Sequence, residues 1–369
     1  MKKWNLAVAG LCVIACVSAA SGQATLTVLQ PVPGGSTAFA SAISGDGLTY
    51  AGFGSGSDGF TRAIRWNTDG TATALPRLTG GQTNWSFGIN GDGSVVVGRS
   101  DSSNGWRAFR FAPGAGGLQN LGTLPGTQTS EARAADASGS VVVGQSGLRA
   151  FRWEAGSGMQ ELAGLSGAQR TAALGISADG AVAVGVSGGP PSVMSDRAVR
   201  WTQAGGIEDL GVLSGGTESL AVGANADGSV VVGTADSPGG DRAFRWVDGI
   251  GMQSLGVISG AASSSAAAVS ADGSAVVGQS SVPGVGVRAM LWTSDLGMVD
   301  LNDYLPTLGI DLTGWTLTGA RGISADGTAI IGQGLFNGSQ RGWVVTGIPS
   351  PGTAALLALG GLAGVRRRR

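Results

Sequence analysis

The sequence predicts an all-β fold: a seven-bladed β-propeller of four-stranded blades, with the last blade closed by the N-terminal strand. Three observations carry that expectation. A short phrase recurs seven times along the chain, the composition favours strands and turns over helices, and the phase of the repeat is split between the two ends of the repeat region.

Of 369 residues, 68 are Gly, only 13% are charged, and none is His. Average usage is about 7% Gly, so glycine here is more than doubled. High Gly with abundant Val, Ala, Ser and Thr points to short strands and tight turns rather than helices.

The repeat is Ile-Ser-Ala-Asp-Gly, an apolar triplet, then Gly. It recurs as Ile43 to Gly52, Ile89 to Gly98, Ala135 to Gly144, Ile176 to Gly185, Ala224 to Gly233, Val269 to Gly278 and Ile323 to Gly332. The closing glycines are 46, 46, 41, 48, 45 and 54 residues apart. A second phrase follows each copy: Arg62-Ala63-Ile64-Arg65-Trp66, then near-copies starting at Arg107, Arg149, Arg197, Arg242, Arg288 and Arg341. A third follows most of these, such as Gly158-Met159 leading to Leu162. Each unit thus holds four strand candidates in ~45 residues, the content of a propeller blade.

The apolar runs, such as Val95-Val96-Val97, suit a strand covered on both faces, as blades stacked between neighbours require. In the third strand Phe151 and Trp153 point one way, and Ala150 and Arg152 the other. Arg152 and its equivalents Arg65, Arg110, Arg200 and Arg245 then need carbonyl or carboxylate partners. Thr25 to Gln30 reads as a fourth strand without its first three, whereas the last unit has strands one to three and no fourth. The N-terminal strand is therefore expected to complete the last blade, leaving no open edge. The rival is an open solenoid.

The Asp-Gly pairs at Asp46, Asp92, Asp179, Asp227, Asp272 and Asp326, with Ser138 in the third copy, read as hairpin turns, because Asp-Gly tolerates positive φ. The spaced acidic residues of a calcium loop are missing.

The units from Ser36 to Val345 resemble the extracellular HAF-repeat family, named for a His-Ala-Phe phrase before a Trp. Here Arg replaces the His, as in Arg149-Ala150-Phe151 and Arg242-Ala243-Phe244. The resemblance implies repeats and export, and brings no activity with it.

The two ends read as targeting segments. Lys2 and Lys3, the apolar run Leu6 to Val17 and the small-residue stretch Ser18 to Ala24 make residues 1–24 a signal peptide. The apolar run is short of the ~20 residues of a membrane span. Cys12 and Cys16, the only cysteines, lie within it. Val13-Ile14-Ala15-Cys16 also loosely resembles a lipoprotein processing box, the alternative in which Cys16 is lipidated. At the other end, Pro349-Ser350-Pro351-Gly352 precedes the apolar run Ala354 to Val365 and the basic run Arg366 to Arg369. This order resembles the PEP-CTERM sorting signal, with Ser350 where that motif has Glu. The resemblance makes residues 348–369 a sorting tail, with Pro349, Pro351 and Arg366 as its marks. It implies an exosortase-type peptidase as partner, and transient membrane retention at the cell surface. The propeller domain is expected over residues 25–347.

Composition excludes much chemistry. With no His, no Cys after residue 24 and no Lys after Lys3, a Ser-His-Asp triad, a thiolate nucleophile, a Schiff base and a His metal site cannot be built. A carboxylate-pair glycosidase is formally open, but no pair stands out. The Gly-rich stretch Gly114 to Gly117 lacks the Lys-Ser/Thr of a phosphate loop. Between Ala24 and Ile348, 17 Arg face 24 acidic residues, a net charge of −7. Nucleic acid is not an expected partner.

The links between second and third strands vary while the Asp-Gly turns barely differ. Varied loops on a fixed scaffold carry recognition, so the expected ligand face is the one bearing Trp106, Asp196, Asp241, Asp303, Tyr304 and Trp315. The alternative is simple drift of solvated loops. No catalytic, metal or cofactor-binding residue is assigned. The function class that remains is an exported surface or matrix-associated binding or structural module, meeting polysaccharide or surface proteins. The alternative is a polysaccharide-acting enzyme or a lectin-like protein.

Overall fold

The computed structural model describes residues 24–114, 116–189 and 196–350. Seven four-stranded antiparallel sheets follow one another around a ring, forming a seven-bladed β-propeller. Blade I consists of Phe39–Ile43, Thr49–Ser55, Thr61–Asn67 and Ala72–Ala74, running from the centre outward. The inner strands of blades II to VII are Asn84–Ile89, Ser130–Ala135, Arg170–Ile176, Ser219–Ala224, Ser263–Val269 and Trp315–Ile323. In blade VII the outer strand is Thr25–Val28, which pairs with Ser339–Thr346 in the register Thr25↔Thr346 to Val28↔Trp343. The split repeat therefore closes the ring, and the open solenoid is ruled out. One element was not foreseen: Leu301–Thr307 is a short helix, N-capped by Asp300, whose carboxylate accepts the Asn302 N–H at 2.8 Å.

The core is divided among the blade interfaces, with one buried apolar cluster in each of the seven. Val97, Ala108, Ala132, Val142, Phe151 and Trp153 fill the space between blades II and III. Ala150 faces the other way, with Val143, Ala173 and Val199 between blades III and IV. This is the alternation expected of the third strand.

Three polar devices join the blades, the first at five interfaces, the second at four and the third at all seven. First, a side chain on the inner strand caps a buried backbone N–H of the preceding blade's third strand. Asn84 accepts from Ala63, Ser130 from Ala108, Thr171 from Ala150, Ser219 from Ala198 and Ser264 from Ala243, at 2.7–2.9 Å. Second, the third-strand arginines reach the following blade's turn. Arg65, Arg110, Arg152 and Arg245 donate to the carbonyls of Gly93, Gly139, Gly180 and Gly273. Arg200 departs from this, pairing with Glu208 and Asp248 and lying 4.4 Å from the Trp246 ring centre.

Third, the turns bond to one another. The Asp carboxylate accepts the N–H two residues on, as from Leu48 to Asp46, and the following Gly sits at φ near +70 to +75°, as at Gly47 and Gly327. Each turn then hydrogen-bonds the next, from Asp46 N–H to Gly91 O round to Ala325 N–H to Gly45 O. These seven bonds form a closed circle.

Every inner strand carries a β-bulge at the same place, adding one residue opposite the second strand, and blade VII has a second at Thr318. The glycine closing each repeat phrase lies opposite this bulge. A Cβ on Gly98 would lie 1.9 Å from the Trp85 carbonyl, and one on Gly233 1.9 Å from that of Leu220. Only glycine allows the strands to approach so closely.

The packing runs past residue 347. Ile348 is 3% exposed in the cluster between blades VI and VII, and its N–H donates to Thr328 O.

Candidate functional site

The bulges aim one side chain per blade inward: Ser41, Phe87, Arg133, Leu174, Val222, Ala267 and Arg321. They line a central channel of about 220 Å³ together with small and apolar neighbours from all seven inner strands. The circle of Asp-Gly turns rims one end. In an antiparallel meander alternate links lie at opposite ends, so the varied links surround the other.

On that varied face the repeat departs most from itself at blades II and III. Two positions before the bulge, the seven blades read Phe39, Trp85, Glu131, Ala172, Leu220, Ser265 and Gly319. Opposite Trp85 on the second strand stands Arg99. Its guanidinium lies 4.7 Å from the Trp85 ring centre and 5.0 Å from that of Trp106, and the two indole rings are 5.1 Å apart. Arg99 also bridges to Glu131 of blade III at 3.1 Å, and Glu131 takes a second ion pair from Arg133. Arg133 in turn lies 4.7 Å from the Phe87 ring. Of these groups Arg99, Trp106, Glu131 and Arg133 border a cleft of about 340 Å³ with Thr129, Ser130, Gln145 and Gly147, and Trp85 stands behind Arg99 and Trp106. Arg133 belongs to both cleft and channel wall. The cleft and channel thus meet at Arg133, beside the Phe87 ring.

The residues singled out from the sequence are spread round the rim rather than gathered in one pocket. Trp106 is part of the cleft just described. Asp196 is held by Arg170, and its backbone carbonyl accepts the Ser219 N–H. Asp241 stands one blade further, where its carbonyl accepts the Ser264 N–H. Between them lies Glu218, whose carboxyl is pushed above the usual range, first by burial and then by Asp196, Asp236 and Asp241. Asp303 and Tyr304 sit on the helix at a separate groove of about 490 Å³, with Arg288, Asp300, Val282 and Val285. Burial raises the Tyr304 phenol. Trp315 stacks on Phe336 with ring centres 5.0 Å apart. Of the tail residues, Pro349 borders a small hollow beside Tyr304 and Leu296. Pro351 and Arg366 lie outside the described residues, as do Cys12 and Cys16.

Trp85, Phe87, Arg99, Glu131, Arg133 and Arg321 were missed by the sequence reading, which looked for recognition in loops. They stand at strand positions, where a repeat suggests core. The signal was available in the differences among seven otherwise similar inner strands.

Among the described residues no cluster of His, Cys, Asp and Glu is placed to hold a metal ion, and no helix is long and apolar enough to cross a membrane.

No family model and no curated protein matches the chain. Solved structures do. An oligogalacturonate lyase from Vibrio parahaemolyticus superposes with a TM-score of 0.58 at 13% identity, covering 87% of this chain and 93% of that one. An oligogalacturonate lyase in complex with manganese gives 0.56 at 13%, covering 88% and 93%. TolB from Acinetobacter baumannii gives 0.44 at 12%, and the match covers 82% of this chain but only 64% of TolB, less than two thirds of its length. At such identities the likeness to the lyases is one of fold, and the fold they share with this chain is the β-propeller.

Proposed function

We propose that this chain is an exported, non-catalytic binding module that holds an extracellular polysaccharide on its varied face, at the cleft between blades II and III. One observation carries the reading. At the position where the other blades place Phe39, Ala172, Leu220, Ser265 or Gly319, blades II and III place Trp85 and Glu131 side by side, and the link adds Trp106 beside Arg99. Flat apolar rings next to charged hydrogen-bonding groups match a sugar's apolar ring face and polar edge. The missing nucleophile and base types support binding without turnover. The two terminal segments support export and retention at the cell surface, the tail through an exosortase-type peptidase.

The test is a glycan array probed with the purified protein and with Trp106→Ala. Selective binding to polysaccharide, reduced at least tenfold in the variant while the melting temperature holds, is expected. Silence across the array sinks the reading. Free release of tail-deleted protein into the medium, with intact protein retained, tests the sorting part.

The alternative, a polysaccharide-acting enzyme, rests on Glu218, because a carboxyl with raised pKa is what a general acid needs. Polysaccharide cleavage abolished by Glu218→Gln would favour it.

A further inference from the structure

The channel holds a charge without a counterpart. The described residues include 17 arginines, and all but one hydrogen-bond or ion-pair to another described residue. The exception is Arg321, the bulge residue of blade VII. It is exposed in the wall of the channel, and no described carboxylate pairs with it. A guanidinium with no partner in the protein keeps its whole fork of donors free for a ligand. Arg321 stands where the other blades put Ser, Phe, Leu, Val, Ala or the ion-paired Arg133, so nothing in the repeat's packing requires it.

The geometry points to Arg321 as the seat for the carboxylate of a sugar acid entering the channel, with Arg133 as a second cation and Phe87, Leu174 and Val222 around the ligand's body. A guanidinium presents a planar fork of donors that matches a carboxylate. At about 220 Å³ the channel is smaller than the ~300–1,000 Å³ of sites for drug-sized ligands, so it suits one ring and not a long segment. Arg133 belongs to both walls, so a chain lying in the cleft could place one acidic end residue in the channel. This inference rests on the reading of the varied face as glycan-binding, and it names the class of glycan: one bearing uronic acids.

The experiment is calorimetric titration of the purified protein with sodium glucuronate, glucose and sodium sulfate at fixed ionic strength. Saturable binding of glucuronate, with glucose at least about tenfold weaker, is expected, since hydrogen bonds between a guanidinium and a carboxylate are charge-assisted and those to a neutral hydroxyl are not. Arg321→Gln should weaken glucuronate about tenfold or more without lowering the melting temperature, because Arg321 has no partner to lose. Arg321→Lys should recover part of the affinity. Equal binding of glucose, displacement by equimolar sulfate, unchanged affinity in Arg321→Gln, or no glucuronate binding overturns the proposal. Array binding lost in Trp106→Ala, with glucuronate silent, would overturn the channel seat alone. Glucuronate bound at Arg321 with a silent array would overturn the polysaccharide reading alone.

Discussion

The backbone N–H of Ala325 donates to the carbonyl oxygen of Gly45 at 2.9 Å. That bond joins the Asp-Gly turn of blade VII to that of blade I and completes the circle of seven. On the same seam, Thr25–Val28 pairs with Ser339–Thr346, and Leu29 is fully buried against Val344 and Trp66. Closure is therefore made at both the inner and the outer radius of the ring.

Weakening the outer closure should open an edge. Leu29→Ala should cost about 2–5 kcal/mol, the usual range for removing a buried Leu side chain, measured by denaturant unfolding. Deleting residues 24–30 should go further, exposing Ser339–Thr346 as an unpaired edge strand that invites association. Sedimentation should then show oligomers where the intact chain is monodisperse. A deleted chain that stays monomeric with an unchanged melting temperature would contradict the closure.

The close-approach glycines should not tolerate a methyl group. Gly233→Ala places a Cβ 1.9 Å from the Leu220 carbonyl, a backbone atom that cannot step aside without breaking the ladder. Gly249 has positive φ, unlike Gly233, but nothing lies within 4 Å of its added Cβ. Gly233→Ala should fail to accumulate as folded protein, whereas Gly249→Ala should fold with only a modest loss from its backbone conformation.

The side-chain caps between blades predict a graded loss. The Ser219 hydroxyl accepts from Ala198 N–H at 2.9 Å and donates to Gly211 O at 2.6 Å, and the residue is 2% exposed. Ser219→Ala leaves a buried N–H unpaired, which should cost about 1–3 kcal/mol. Ser219→Thr keeps the hydroxyl and should recover part of it. Equal losses in both variants would mean that packing, not the hydrogen bond, sets the effect.

Acid should act through the turns. Hydrogen bonds from Ser229 hold Asp227 below the ordinary carboxylate range, and those from Ser94 do the same for Asp92. A carboxyl with a depressed folded-state pKa binds fewer protons folded than unfolded. Its stabilisation is complete above the unfolded value of about 3.9 and is lost as pH falls through the lower folded value. Melting temperature should drop below about pH 4. Glu218 has the opposite sign: its raised pKa costs stability once pH rises above it. Glu218→Gln should therefore melt higher than the parent at pH 7 and level with it near pH 3. A variant that melts lower at pH 7 would show that the Glu218 carboxylate is paired rather than strained.

The sequence by itself determined the number of blades, the order of strands and the ring closure, because those follow from local patterns. Turn chemistry repeats at each Asp-Gly, the apolar triplets mark strands buried on both faces, and the missing fourth strand is a matter of counting. The helix at Leu301–Thr307 escaped because its fold depends on Asp300 as a cap and on Leu301 and Leu305 packing into the interface of blades VI and VII. The candidate site was only partly legible. Trp106 was visible as an aromatic in a varied link, but its relation to Arg99, and Arg99's to Glu131 in the next blade, arises only when blades stack. The same holds for the channel. No single repeat shows that the residue two places after Trp85 or Glu131 is a bulge, since a bulge is a mismatch between two paired strands. Local hydrogen bonding and hydrophobic spacing chose the propeller. Stacking seven non-identical blades around one axis decided which of their differences would face each other, and it left Arg321 facing the channel without a partner.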